Sequence, residues 1–480
     1  MDDNANDFLK RLSGFSMGPL ISAIIGFITV PVTTYLVSPE DFGKSAMYTM
    51  GYTISSLFIF LGLDQAYGRE YNAYKDKSEL FWNSLIVPLI FSILMGGMYI
   101  IFYKPISLIM FNSVERYIVI ILAVSLPFSV IDRFNMLILR MEEKARQYSL
   151  FNIINKLLTL VVLIPYLLFI DKSYKGIINA TFISLIVVCL IESYYVKHVW
   201  KNKFKINKSL LIKMFRFGFP LIPASIIGWF FSSMDRIALR QWSNFSEIGI
   251  YSAAFKIVGI LAIIQSCFSA FWVPTAYRWH DNNVSNDKYI KVSEILLTIM
   301  CLLFSFIVLF KDLIIYLLSS NYVTASKSVP FLLFFPIMYT VSETTTLGIP
   351  FSRKTYYNII ISVVSATVNY IGNYLLVPKF GSMGASISTG VSYIVFFFIR
   401  TLISRKLWFD FSIKVYVKNI VLLLILSFTS ITINSFIINL LIVISIIYIN
   451  RNSIYEIIKI IKPILKNKYK SMFRSLNNGN

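Results

Sequence analysis

Runs of roughly twenty apolar residues, the length that carries an α-helix across a hydrocarbon core, recur about fourteen times along this 480-residue chain. They read as 14–37, 46–66, 80–102, 118–139, 150–170, 176–196, 217–240, 248–272, 292–310, 328–350, 357–377, 384–403, 415–433 and 436–450. The last two are parted only by "FTSITINSF", a minimal turn. Backbone polar groups in lipid must be satisfied inside their own segment, so such runs fold as helices. Charged residues make up 14% of the chain, against about 25% in soluble domains. The pattern predicts an all-α polytopic membrane protein of about fourteen transmembrane helices.

A net charge of +21 would suggest nucleic acid as a partner if the protein were soluble. Here the charge sorts by topology. With the N-terminus inside, about 32 of the 45 Lys and Arg fall in inward loops and tails, about 8 outside and about 5 within spans. The richest inward segments are "KHVWKNKFKINKSLLIKMFR" and "KIIKPILKNKYKSMFR". Both termini are therefore expected in the cytoplasm, with the basic loops beside anionic membrane lipid and no role for nucleic acid. No connection exceeds about twenty residues, which leaves no soluble catalytic domain. No G-x-x-x-x-G-K-[ST] occurs, so ATP hydrolysis by that route is not expected. Cys189, Cys267 and Cys301 lie far apart in apolar runs, and His198 and His280 sit in polar connections, so no metal or other cofactor is expected. The first apolar run follows "MDDNANDFLKR" with no small-residue cleavage site and reads as a retained helix, not a signal peptide.

Two segments about 200 residues apart look alike, as in duplicated transporters. One reads "GPLISAIIGF…SPEDFGKSAMYTM" from Gly18, the other "FPLIPASIIGWF…NFSEIGIYSAAFKI" from Phe219. Pro19 matches Pro220, and Glu40 to Ala46 match Ser246 to Ala253 through an acidic residue, a Gly and a Ser-Ala pair. Both copies start on the inward side, which makes the repeats parallel, related by an axis along the membrane normal. The expected organisation is two parallel six-helix bundles, 1–200 and 217–410, joined by a basic cytoplasmic linker, 201–216. Two extra helices (411–450) and a basic cytoplasmic tail (451–480) follow.

The run "FGFPLIPASIIGWFFSSMDRIALRQWSNFSEIGIYSAAFKIVGIL" resembles the central signature of the Wzx-type polysaccharide-transport flippases. "GLDQAYGREY" and "VPKFGSMGASISTGVSYIVFFFIR" are also similar to that family, and the likeness extends over nearly the whole chain. The superfamily includes multidrug exporters and the peptidoglycan lipid flippase. The resemblance implies movement of an undecaprenyl-pyrophosphate-linked oligosaccharide, such as an O-antigen unit, from the inner to the outer leaflet of a bacterial cytoplasmic membrane. It also implies a polysaccharide polymerase and a chain-length regulator as partners. The competing functions are a cation-coupled multidrug exporter, which calls for an acidic cleft with aromatic walls, and a membrane polymerase, which calls for catalytic residues on a long external loop.

Charges inside spans cost a few kcal/mol each on insertion scales and mark pathways or pairs. Asp132 and Arg133 lie about as far before the inward loop "RMEEKARQYS" as Lys156 lies after it, which gives them one depth on antiparallel helices. Asp235 and Arg236 flank the outward loop opposite Lys256 in the same way. Each cluster holds one acid and two bases, so an unpaired cation remains for an anionic headgroup, and arginine forks suit pyrophosphate. Arg240 shares a helix face with Arg236 or marks the outer interface. Structural ion pairs that lock adjacent helices are the competing reading of all of these. Glu343 interrupts a span in "YTVSETTTLGIP" and, like Asp132 and Asp235, is a candidate for charge pairing or for proton or sodium coupling. Asn369 and Asn373 share a face and are candidate sugar contacts, with interhelical hydrogen bonding as the alternative. Asp64 is expected at the inner interface.

Overall fold

The computed structural model describes residues 2–201, 204–459 and 462, with backbone alone for 2–16 and Ala224. It is helical, with no strand among the described residues. In chain order the first helices are α1 (Asp2–Leu36), α2 (Pro39–Phe60), α3 (Leu63–Glu70), α4 (Lys77–Ile101), α5 (Tyr103–Phe111) and α6 (Arg116–Met141). Next come α7 (Ala145–Phe169), α8 (Tyr174–Tyr195), α9 (Lys197–Trp200), α10 (Lys208–Gly218), α11 (Leu221–Trp242), α12 (Phe245–Asp281) and α13 (Asn286–Leu309). The rest are α14 (Lys311–Tyr316), α15 (Val329–Leu332), α16 (Phe334–Thr345), α17 (Gly348–Phe351), α18 (Tyr357–Leu407), α19 (Lys414–Thr432) and α20 (Phe436–Ile449).

Among the described residues nine helices are long and apolar enough to cross a membrane, or up to twelve if each of three bent pairs is one span. The expected fourteen exceeds this by two. One difference is α18, which counts once although Gly381, at φ 52° and ψ −127°, breaks it. The other is the 328–350 stretch, which forms three short helices, α15 to α17, in place of one long one. Of the expected basic tail, 460–461 and 463–480 lie outside the described residues, as do 202 and 203 of the linker.

Two compact units divide the chain: Met1–Lys256 with Leu318–Tyr322, and Ile257–Leu317 with Val323–Asn480. In the first unit, Ile59, Leu63, Phe81, Leu126, Phe134 and Met214 form one fully buried apolar core. Outward, α4 presents Ile90, Phe91, Ile93 and Leu94 at 43–64% exposure. A surface like that would drive aggregation in water and is at ease against lipid. The linker 201–216 is largely ordered: Asn207 caps α10 by accepting from the amides of Ser209 and Leu210. α10 buries Leu210 and Met214, and its Lys213 bridges to Glu70 at 2.5 Å. At the same end, His198 Nε2 and Lys144 Nζ each lie 2.8 Å from the Glu142 carboxylate.

Local signals explain how α2 is set. Ser38 accepts from the Asp41 amide and Pro39 occupies the first turn, where its missing N–H costs nothing. Leu61 and Gly62 both adopt left-handed φ, 49° and 72°, and turn the chain by 52° into α3. Near its start α2 packs against the start of α12 backbone to backbone. A Cβ built on Gly43 would lie 2.0 Å from the Phe245 carbonyl oxygen, and one built on Gly249 would lie 1.9 Å from that of Pro39. These are the glycines matched in the internal repeat. Only residues without a side chain permit this approach.

Candidate functional site: cations and a polar cavity in the first unit

The bend after α2 aims α3 so that Asp64, expected at an interface, is 7% exposed. It accepts from Arg133 Nε at 3.2 Å and Nη2 at 2.8 Å. That pair edges a cavity of about 300 Å³ lined also by Thr53 and Ser56 of α2, Gln65 of α3 and Ser225 of α11. Leu57, Phe60, Leu221 and Ile222 complete the lining, so hydroxyls, an amide and a half-exposed guanidinium stand among largely apolar walls, an arrangement suited to a ligand with both polar and apolar parts.

Lys256 lies about 17 Å along α12 from its first residue, and Lys156 about 17 Å along α7 from its start. Arg236 is about 9 Å from the end of α11. The spacing groups Lys156 with Asp132 and Arg133. The structure brings Lys156 and Arg236 within electrostatic reach of Lys256. Lys156 and Lys256 are both exposed. The Lys256 ammonium sits 4.6 Å over the Phe42 ring, and the Arg236 guanidinium 5.4 Å over Phe255. Arg236 Nε also donates to Ser252 Oγ at 3.4 Å. Among the described residues no carboxylate forms an ion pair with any of the three. Three like charges gathered at membrane depth raise one another's energy, and an incoming anion relieves all of them together.

The acids expected beside these bases are engaged elsewhere. Asp235 is 5% exposed and accepts from the Tyr251 hydroxyl at 2.6 Å. Asp132 lies within electrostatic reach of Glu192 of α8, a residue not singled out from the sequence. Its place inside the expected span 176–196 was the available signal. Arg240 donates to the backbone carbonyls of Ile109 and Leu108 at 3.1 Å each, which caps the C-terminal end of α5. That is a structural task, apart from the cation group.

In the second unit, Glu343 pairs with Arg400 at 2.9 Å, and Arg400 also donates to Ser342. Tyr339 and Phe396 hold the guanidinium between them, at 5.5 and 5.3 Å. Asn369 and Asn373 are 2% and 0% exposed. Asn373 donates to Asn369, and Asn369 to Thr389 across the Gly381 break. The first bond lies within one helical stretch and the second joins the two stretches on either side of Gly381, all in a buried interior.

The sequence pattern of a family described as "Polysaccharide biosynthesis protein" matches residues 8–280. A succinoglycan biosynthesis transport protein, ExoT, of Rhizobium meliloti is 20% identical over 237 residues, 49% of this chain and 46% of its own. A probable low-salt glycan biosynthesis flippase, Agl15, of Haloferax volcanii is 24% identical over 199 residues, 41% of each chain. The matched part is thus under half the length of either relative. Among solved structures, the lipid II flippase MurJ in an inward closed conformation superposes with a TM-score of 0.69 at 16% identity. That match covers 92% of this chain and 98% of MurJ. An inward-facing multidrug resistance transporter of the MATE family gives 0.59 at 18%, over 82% of this chain and 94% of its own. These likenesses establish a shared helical membrane fold.

Proposed function

Because the chain belongs to the family of polysaccharide biosynthesis proteins, we propose that it is a flippase for an undecaprenyl-pyrophosphate-linked oligosaccharide. It carries the saccharide from the inner to the outer leaflet of a bacterial cytoplasmic membrane by alternating access, with no covalent chemistry. Both termini and the 197–216 segment face the cytoplasm, where basic loops concentrate. A polymerase and a chain-length regulator act on the product outside.

The observation that carries this reading is the group of Lys156, Arg236 and Lys256 at membrane depth. A pyrophosphate brings about two negative charges and many acceptor oxygens, which ammonium and guanidinium groups meet with charge-assisted bonds. A drug cation would be repelled by the same three groups, which argues against the exporter alternative. ExoT and Agl15, named as a polysaccharide transport protein and a glycan flippase, support the same direction.

The test is a deletion strain complemented with Lys256→Met or Arg236→Met, with lipid-linked glycan probed in each leaflet. Each lost charge-assisted contact weakens headgroup binding by about 1.5–3 kcal/mol, or roughly ten- to a hundredfold. Inserted, abundant variants with glycan retained in the inner leaflet are the expected result. Variants that export at the wild-type rate would refute the assignment, as would a deletion strain with normal translocation.

A further inference from the structure

We propose that the helix Arg451–Lys459, which leaves α20 at a bend of 67°, docks in the plane of the bilayer surface on anionic phospholipid. The inference stands apart from the flippase reading, since a chain that flipped nothing would dock this helix in the same way. The bend is a built joint. Asn450, 3% exposed, donates to Asn419 Oδ1 at 2.6 Å and to the Ile446 carbonyl at 2.8 Å, and accepts from Thr298 Oγ1 at 3.2 Å. Those bonds tie it to α13 and α19. α20 has 14 residues and is about 21 Å long, short of a hydrocarbon core of roughly 30 Å. The turns after it therefore start near the boundary between acyl chains and headgroups, and long basic side chains there reach outward to the phosphates.

One face of the helix is held by protein: Glu456 meets Lys291 of α13 at 2.8 Å, and Ser453, Ile454 and Ile457 are partly buried. The other face is open. Arg451, Tyr455, Ile458 and Lys459 fall within about 100° of one another around the helix axis. Tyr455 and Ile458 are 67% and 55% exposed, and Arg451, Lys459 and Lys462 are exposed as well. Among the described residues no carboxylate forms an ion pair with any of these three bases. Glu456, the acid within electrostatic reach of Lys459, is engaged by Lys291. From Ile457 to Asn480 the sequence holds six Lys and Arg and no acid. An aromatic and an aliphatic side chain flanked by bases suit a helix that sinks its apolar groups into the acyl boundary and sets its charges against phosphodiesters. A zwitterionic surface would leave the positive charges uncompensated, whereas an anionic one attracts them.

The test uses the full chain with Cys189, Cys267 and Cys301 replaced by serine and an environment-sensitive fluorophore on Asn452→Cys. This parent is placed in nanodiscs of phosphatidylcholine with a rising share of phosphatidylglycerol. Shielding of the label from acrylamide, a neutral quencher, should increase and saturate with phosphatidylglycerol, and should weaken as salt is added. Each base beside an anionic surface favours binding about fivefold, so Arg451→Gln with Lys459→Gln and Lys462→Gln loses on the order of a hundredfold. Its label should stay accessible in every disc. Tyr455→Ser with Ile458→Ser keeps the charges and should leave the label accessible as well. A parent label equally shielded in pure phosphatidylcholine would overturn the choice of anionic lipid, and one equally accessible in all discs would overturn docking on a membrane. A triple variant that is shielded like the parent would overturn the role of the three bases.

Discussion

Replacing Gly249 with alanine puts one methyl group into the seam between α2 and α12. The new Cβ would sit 1.9 Å from the Pro39 carbonyl oxygen and 2.8 Å from its carbon, where ordinary contact begins at 3.4 Å. The obstacles are backbone atoms, so no rotamer relieves them, and the two helices must part by about 1.5 Å at this point. Overpacking of this kind costs roughly 1–3 kcal/mol, which shifts a two-state equilibrium about 5- to 150-fold. If this seam closes and opens during the cycle, the closed form is the one that loses. The assay is a spin-label distance measurement between Glu40→Cys and Asn244→Cys, with Cys189, Cys267 and Cys301 replaced by serine. The expected result is a short distance in the parent and a major longer one in Gly249→Ala. Gly43→Ala should behave alike, since its Cβ would lie 2.0 Å from the Phe245 oxygen. Gly259→Ala, whose Cβ meets nothing within 4 Å, is the control and should leave the distance unchanged. A distance distribution identical in Gly249→Ala and the parent would refute the reasoning.

Removing one partner of the Arg400–Glu343 pair strands the other at 12–14% exposure. Arg400→Met alone should lower stability in detergent by about 3 kcal/mol, whereas Arg400→Met with Glu343→Met should recover most of that; equal losses in both would show that the pair is not the reason. At Glu142, burial pushes the carboxyl up, but hydrogen bonds from Lys144 and His198 outweigh it and hold the group below its usual 4.5. A folded-state value below the unfolded one gives stability that is present above about pH 4.5 and lost as pH falls further. Thermal unfolding midpoints should therefore separate wild type from Glu142→Gln at pH 7 and converge near pH 3; a constant gap across that range would count against the contact.

The helices were legible because lipid permits so few backbone solutions: every expected span falls on helix, although breaks at Leu61–Gly62, at Phe219–Pro220 and between α15 and α17 divide three of them, and Gly381 falls between two. The glycines of the repeat were legible as a match, without their contact being visible in it. The charges were less so. Depth along a helix can be counted from the sequence, but the direction in which a side chain leaves the axis depends on which helices are neighbours. That is why the electrostatic reach of Lys156 to Lys256, and the pairing of Asp64 with Arg133, could not be counted from depth alone. Glu192 escaped notice because a single acid near the end of an apolar run looks like a boundary residue. Its meaning comes from Asp132, sixty residues earlier in the chain.

The Gly43–Gly249 contact has one more property. Each glycine approaches the carbonyl oxygen of the residue four positions before the other, Phe245 in one direction and Pro39 in the other. Reciprocity of that kind defines an isologous interface, in which one surface patch meets its own copy about a twofold axis. Two separate chains of half this length would make the same contact with a single kind of residue. In such a homodimer one Gly→Ala exchange would introduce two methyl groups at once. In a single chain each glycine can be exchanged singly, and the residues around the seam are free to differ while both of these positions must stay small.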